Sequence, residues 1–151
     1  MTPVESPGGR FSVPYVEIRD VDQRPRVLAI VSPEFPTRFL SDSQFIGSCV
    51  VESVVGSDGN IVESRVARAD DESLGIAVVT AVARWKFSPA LKGGNPVGCR
   101  IKVPFIFFTK QPPDRQTYDA FGKQGDYPPF LVSPEDKEYR AAPTRAGSDR
   151  D

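Results

Sequence analysis

Cys49 and Cys99 are the only thiols in the 151-residue chain, and it contains no histidine. A zinc site takes four donors from Cys, His and carboxylate, so two thiols without an imidazole fall short of the usual set. Ser-His-Asp and Cys-His nucleophiles both need the missing imidazole. The 20 Asp and Glu residues supply general acids and bases in principle, but no stretch pairs two of them in a recognisable catalytic arrangement. These residue types imply no catalytic centre, no metal and no cofactor, and the chain reads as a non-enzyme. The 19 Lys and Arg leave a net charge of −1, which argues against a nucleic-acid partner, since phosphate binding needs a cationic surplus.

Binding chemistry remains, and it concentrates in the segment VGCRIKVPFIFF, residues 97–108. Val97, Cys99, Ile101, Val103, Phe105 and Phe107 alternate onto one face of a strand; Gly98, Arg100, Lys102, Pro104, Ile106 and Phe108 take the other. Pro104 cannot donate to a ladder, which places the strand at a sheet edge or a bulge. An open edge is a template for another strand, and Lys and Pro are also residues that blunt such edges. Strand addition makes Arg100, Ile101, Lys102, Val103, Pro104, Phe105, Ile106 and Phe107 the candidate partner surface. The added segment comes either from another protein or from one of this chain's own arms. Trp85, the single tryptophan, stands between Arg84 and Lys86. With Phe87 it reads as core, because it ends an apolar stripe while its neighbours suit a helix C-terminus.

Proline shows where the elements that carry these residues lie. Of 15 prolines, six fall in residues 1–36 and six in 109–151, leaving three between. Ladders and helices exclude proline, so the fold is expected mainly between Pro36 and Phe108, with extended arms on both sides. VPYVEI and RVLAIV read as short β runs, and SPEFP opens a helix through TRFLSD that ends before Gly47. Alternation in GSCVVESVV, the Asp58-Gly59 turn and the return IVESRVARA make a hairpin over residues 48–69. DDESLGIAVVTAVARW is helical, capped by Asp70 or Asp71, with Leu74, Ala77 or Val78, Ala81 and Trp85 on one face. Pro89 stops it, LKGGNPVG is a loop, and the 97–108 strand follows. The tail from Thr109 mixes both charges and reads as disordered by composition, yet YDAFG and DYPPFLV carry enough apolar area to dock.

The ordered set SPEFP, GSCVVESVVGSDGNIVESRV, LGIAVVTAVARWKFSPALKGGNPV and RIKVPFIF resembles the C-terminal domain of TonB-family energy transducers, over about residues 25–108. Phe35-Pro36 stands where that family carries Tyr-Pro. Gly47, Asp58-Gly59, Trp85-Lys86-Phe87, Pro89-Ala90 and Asn95-Pro96-Val97 follow in its order and spacing. The resemblance implies an α+β fold: a small three-stranded antiparallel sheet with two helices packed on one face. An N-terminal arm at 1–24 and a proline-rich, charged extension at 109–151 flank it. It implies a periplasmic, envelope domain that carries force from an inner-membrane motor to outer-membrane transporters. Its protein partner is then an extended transporter peptide, bound by strand addition to the last strand, with Phe35 and Pro36 as a second contact. The same resemblance sets the hairpin's first strand antiparallel to the last. Cys49 and Cys99 then lie roughly 15–20 Å apart at opposite ends of the sheet, too far for a disulfide.

Three features depart from the family pattern. The sequence shows neither a membrane anchor nor a long proline-rich spacer; a glutamine ahead of the Tyr-Pro position is not evident in IVSPEFP; and about 43 residues follow the domain. They keep a second expectation alongside the first, an adaptor subunit of a larger envelope assembly whose arms wrap a partner. No apolar run approaches the roughly 20 residues that cross a bilayer, and the first residues lack the charged-then-apolar pattern of a signal peptide. A direct membrane span is therefore not expected.

Overall fold

The Val-rich runs on either side of Asp58-Gly59 form the long hairpin that their alternation implies, and the other elements are arranged around it. The protein is seen in a computed structural model that describes residues 4–5 and 10–135, with backbone alone for Val4 and Glu5. The outermost parts of the expected arms, residues 1–3, 6–9 and 136–151, lie outside the described residues. In chain order the strands are β1 (Val4–Glu5), β2 (Val16–Glu17), β3 (Val27–Ala29), β4 (Ile46–Val55), β5 (Ile61–Ala69), β6 (Lys86–Phe87), β7 (Ala90–Lys92), β8 (Asn95–Val97), β9 (Cys99–Phe108) and β10 (Phe130–Val132). Helix α1 (Glu72–Val82) follows β5, and α2 (Arg115–Gly122) lies between β9 and β10.

The main sheet has the order β1-β5-β4-β9-β10, with β2 also on β9. Six strands therefore stand where three were expected, because both arms add to the three long ones. β4 and β9 are antiparallel over their whole length, from Ile46 opposite Phe108 to Val55 opposite Cys99. β3 and β6 form a small second sheet. LKGGNPVG, expected as a loop over residues 91–98, instead lies largely in the β7–β8 hairpin of Ala90–Lys92 and Asn95–Val97, which turns on Gly93 and Gly94 at positive φ. The Asp58-Gly59 turn does more than reverse the chain. Gly59 has φ +87°, and a Cβ there would lie 2.0 Å from the Phe87 carbonyl oxygen. The Phe87 amide donates to Gly59 O at 2.9 Å, so the turn is docked on β6.

One sheet face packs on α1. Cys49, Val51, Ile101, Val103, Phe105 and Phe107 meet Leu74, Val78, Val82 and Trp85 in the main core. Asp71 caps α1 by accepting from the Ser73 amide at 3.0 Å. Burial pushes the Asp71 carboxyl pKa up, but the Ser73 bonds and the Arg38 guanidinium outweigh it and hold it below the ordinary carboxylate value. The helix is shorter than the apolar stripe suggested. It stops at Val82, a turn carries Arg84 and Trp85, and Lys86 already belongs to β6.

The second helix corrects the expectation of two helices on one face. TRFLSD makes only a three-residue 3-10 turn, Thr37–Phe39. α2 comes from the tail and lies on the opposite sheet face, where Tyr118 and Phe121 pack with Val50, Ile106, Phe108 and Leu131. Its apolar pair at i and i+3 gives a short helix one sticky side. The rest of that face meets residues 10–17: the Arg65 guanidinium lies 4.2 Å from the Phe11 ring, and Ser12 donates to Glu63. Among the described residues, no helix is long and apolar enough to cross a membrane.

Candidate functional site

β9 is where the sequence placed the binding chemistry, and its two edges have different partners. In an antiparallel pair each residue points its N–H and C=O to one side, and the side alternates along the strand. Val16 N donates to Gly98 O at 2.8 Å; Asp126 N donates to Lys102 O at 2.8 Å. Even-numbered residues therefore face outward and odd-numbered ones face β4. Pro104 is even, so its missing N–H falls on the outer edge and the β4 ladder loses no bond. The register of β9 against β4 is unbroken through Pro104.

Three pieces of this same chain occupy that outer edge. β2 pairs in parallel with Cys99 and Arg100. Asp126 clamps Lys102, accepting from its amide through Oδ2 at 2.7 Å while bonding its carbonyl. β10 pairs in parallel with Phe105–Phe107. Between clamp and strand, Gly125 crosses Pro104 so closely that a Cβ would lie 2.5 Å from Pro104 Cδ. Only glycine passes there.

Arg100 and Lys102 meet acids from their own chain. Arg100 donates to Glu17 Oε1 through Nε at 3.1 Å and Nη2 at 2.9 Å, and to Glu52 Oε2 through Nη1 at 2.8 Å. Glu52 also accepts from Arg65 Nε at 2.9 Å, and Lys102 Nζ lies 3.8 Å from its Oε2. The Glu52 side chain is 8% exposed. Three cations around this buried carboxylate satisfy the rule that buried charge must be paired. Ile101, Val103, Phe105 and Phe107 are buried toward α1, and Ile106 toward α2.

The remaining sequence-selected residues lie off this edge. Phe35 packs edge-on to Phe45 at 6.1 Å and meets Phe107 at 5.8 Å on the core face. Phe35 and Pro36 line a groove of about 600 Å³ beside α1, together with Val31, Ile76, Ala77 and Arg84. Trp85 is 1% exposed and donates from Nε1 to Val31 O at 2.8 Å. Its ring lies 6.2 Å from Phe87, 5.7 Å from Phe105 and 4.7 Å from Phe130. Cys49 stands opposite Phe105 and Cys99 opposite Val55, so the two buried thiols are six residues apart along β9 and both are free. Burial pushes their pKa values up, to about 12 for Cys49 and about 11 for Cys99.

Sequence reasoning did not single out Glu17, Arg24, Asp126, Tyr127 or Phe130 as edge residues. The one available signal was the apolar content of DYPPFLV. Tyr127 donates from its hydroxyl to Pro25 O at 2.6 Å, and Arg24 both bonds the Asp126 carbonyl and lies over the Tyr127 ring at 5.1 Å.

Comparison with known proteins gives the fold a family. The sequence is 31% identical over 88 residues to Protein TonB of Vibrio cholerae serotype O1, a match covering 58% of this chain and 36% of that protein. The chain thus corresponds to about a third of the curated relative's length. A solution NMR structure of the Pseudomonas aeruginosa TonB C-terminal domain aligns with 66% of this chain and 97% of its own, at 27% identity and a TM-score of 0.44. The family model described as the Gram-negative bacterial TonB protein C-terminal matches residues 32–109, more than half of the sequence, and the chain belongs to that family.

Proposed function

We propose that this chain is a protein-binding domain of envelope energy transduction. In the periplasm it engages an extended peptide of an outer-membrane transporter by adding it to β9 along Arg100–Phe107. One observation carries this reading: the outer edge of β9 receives extended chain at Cys99–Arg100, Lys102 and Phe105–Phe107. An edge that already bonds extended backbone at three places is a working template for strand addition. Phe35 and Pro36 offer a second contact through the groove beside α1. The partner is a protein, and no step of this function needs a cofactor.

Titration with synthetic extended peptides from periplasm-facing segments of outer-membrane transporters tests the reading. That side already bonds β2, Asp126 and β10, so a peptide that takes their place should alter amide exchange at Arg100, Lys102 and Ile106, the outward-facing positions, while Ile101 and Val103, which face β4, stay as they were. Peptides that bind without touching those three amides would remove strand addition from the account. The adaptor reading draws on a different observation, that the arms already lie along β9. It expects a stable envelope complex recovered with this chain, held through surfaces other than that edge.

A further inference from the structure

We propose that the outer face of α1 is a self-association surface, on which a second copy of this chain docks with its own α1 running antiparallel. The inference uses no residue of β9 and stands apart from the strand-addition reading. While paired in this way, the two copies cover the groove beside Phe35 and Pro36.

The sequence of the helix supports it. Residues 73–83 include no charged side chain, although one face of α1 lies on the sheet and the other is open. A helix that is apolar on all sides is ordinarily covered on all sides. Ile76 is 61% exposed, and Thr80 turns its hydroxyl back to Ile76 O at 2.8 Å, so its donor is spent inside the helix. Glu72, Ile76, Thr80 and Arg84 recur at every fourth position and form one exposed ridge. Ile76 and Thr80 line the groove of about 600 Å³ on one side of the ridge. On the other side they line a second groove of about 340 Å³, with Val66, Ala69 and Gly75. A ridge between two grooves is the surface through which helix pairs interlock. The charges choose the occupant. Glu72 and Arg84 stand at opposite ends of the ridge, about 18 Å apart at 1.5 Å rise per residue, and neither has an ion pair among the described residues. A two-fold axis crossing the ridge between Ile76 and Thr80 sets Glu72 of each copy against Arg84 of the other, and Ile76 against Thr80. The patch is thus self-complementary, as an isologous contact must be, and antiparallel packing also opposes the two helix dipoles.

The test uses the full chain as wild type, Glu72→Arg, Arg84→Glu, the double exchange Glu72→Arg/Arg84→Glu, and Ile76→Lys. Each of these positions is exposed, and circular dichroism melts check that every variant is folded. A contact made by one helix pair is small, and interfaces of that class are transient, so sedimentation equilibrium is run up to millimolar protein. Wild type should associate reversibly. The Ile76 and Thr80 methyl NMR signals should move on dilution, while that of Ile106, on the opposite sheet face, stays fixed. Glu72→Arg or Arg84→Glu alone sets like charges together twice per dimer. Either should raise the dissociation constant about tenfold, since each exposed pair is worth up to about fivefold. Mixing these two single variants in equal amounts should restore the wild-type constant, because every contact then joins opposite charges. The double exchange should restore it too, and Ile76→Lys should abolish association. A monomer at every concentration overturns the proposal, as does association that survives Ile76→Lys or a mixture no tighter than either variant alone. Shielding of Ile76 from a soluble relaxation agent at all dilutions would give the face to this chain's own residues 136–151, and overturns the proposal equally.

Discussion

Glu52→Gln should destabilise the protein by about 2–4 kcal/mol, although it changes neither shape nor volume. Glu52 accepts from Arg65 Nε at 2.9 Å and Arg100 Nη1 at 2.8 Å, with Lys102 Nζ at 3.8 Å. Each charge-assisted bond is worth about 1.5–3 kcal/mol. The amide weakens one to a neutral bond, about half as strong, and sets an NH2 against a guanidinium in place of the other. The full cost of breaking a buried pair, about 3–5 kcal/mol, is an upper bound. The Arg65 and Arg100 side chains are 22% and 28% exposed, so water recovers part of it. Urea denaturation followed by circular dichroism measures the loss. Repeating it at low and high salt separates a buried pair, little affected by ions, from a screened surface one. A loss below about 1 kcal/mol, or one that vanishes in high salt, would refute the claim that Glu52 neutralises this face, since exposed pairs fall in that range.

Two further expectations follow from the core. Trp85→Ala should cost about 3–5 kcal/mol for the cavity, read by circular dichroism melts, since the substitution removes the only tryptophan; a wild-type melt would place the ring outside the core. Cys49 and Cys99 have folded pKa values near 12 and 11, above the ordinary 9.0, so the unfolded chain releases these protons first. Their contribution to stability should be full below about pH 9 and be lost as pH rises toward 11–12. Urea midpoints across that window, compared between wild type and Cys49→Ala, should show a shallower alkaline slope in the variant.

What could be read from sequence follows how local the cause is. The β4–β5 hairpin and the two faces of β9 were legible because alternation and an Asp-Gly turn act within a few residues. The end of α1 was not: Trp85 keeps the helical spacing from Ala81, but Lys86 is drawn into a bridge with β3 far earlier in the chain. Pro104 marks the side of β9 that turns away from β4, since its nitrogen points there, but β9 is not the edge strand expected of it: β2 and β10 pair with that side. What covers that edge was hidden, because β2 and Asp126 reach it across tens of residues and leave no periodic trace. Glu52 sits in a Val-rich run and reads as one polar tooth of an alternating strand. Only the fold brings Arg65, Arg100 and Lys102 to it.

The position of β10, after β9 and α2, also imposes a timetable on synthesis. A ribosome delivers the long hairpin, α1 and β9 before the strand that closes the sheet, so the Phe-rich edge is complete but uncovered for a while. The twenty-odd residues separating β9 from β10 take about 1–4 s to make at roughly 5–20 residues per second. The earlier arm faces the opposite wait: Val16 and Glu17 emerge some eighty residues before Cys99 and Arg100 exist to receive them. A nascent chain therefore passes through two intervals in turn, one with β2 unplaced until β9 is made and one with the 105–107 edge open until β10 follows. Neighbouring nascent chains on one message are the nearest source of a wrong partner, each holding the complement of the other's open strand.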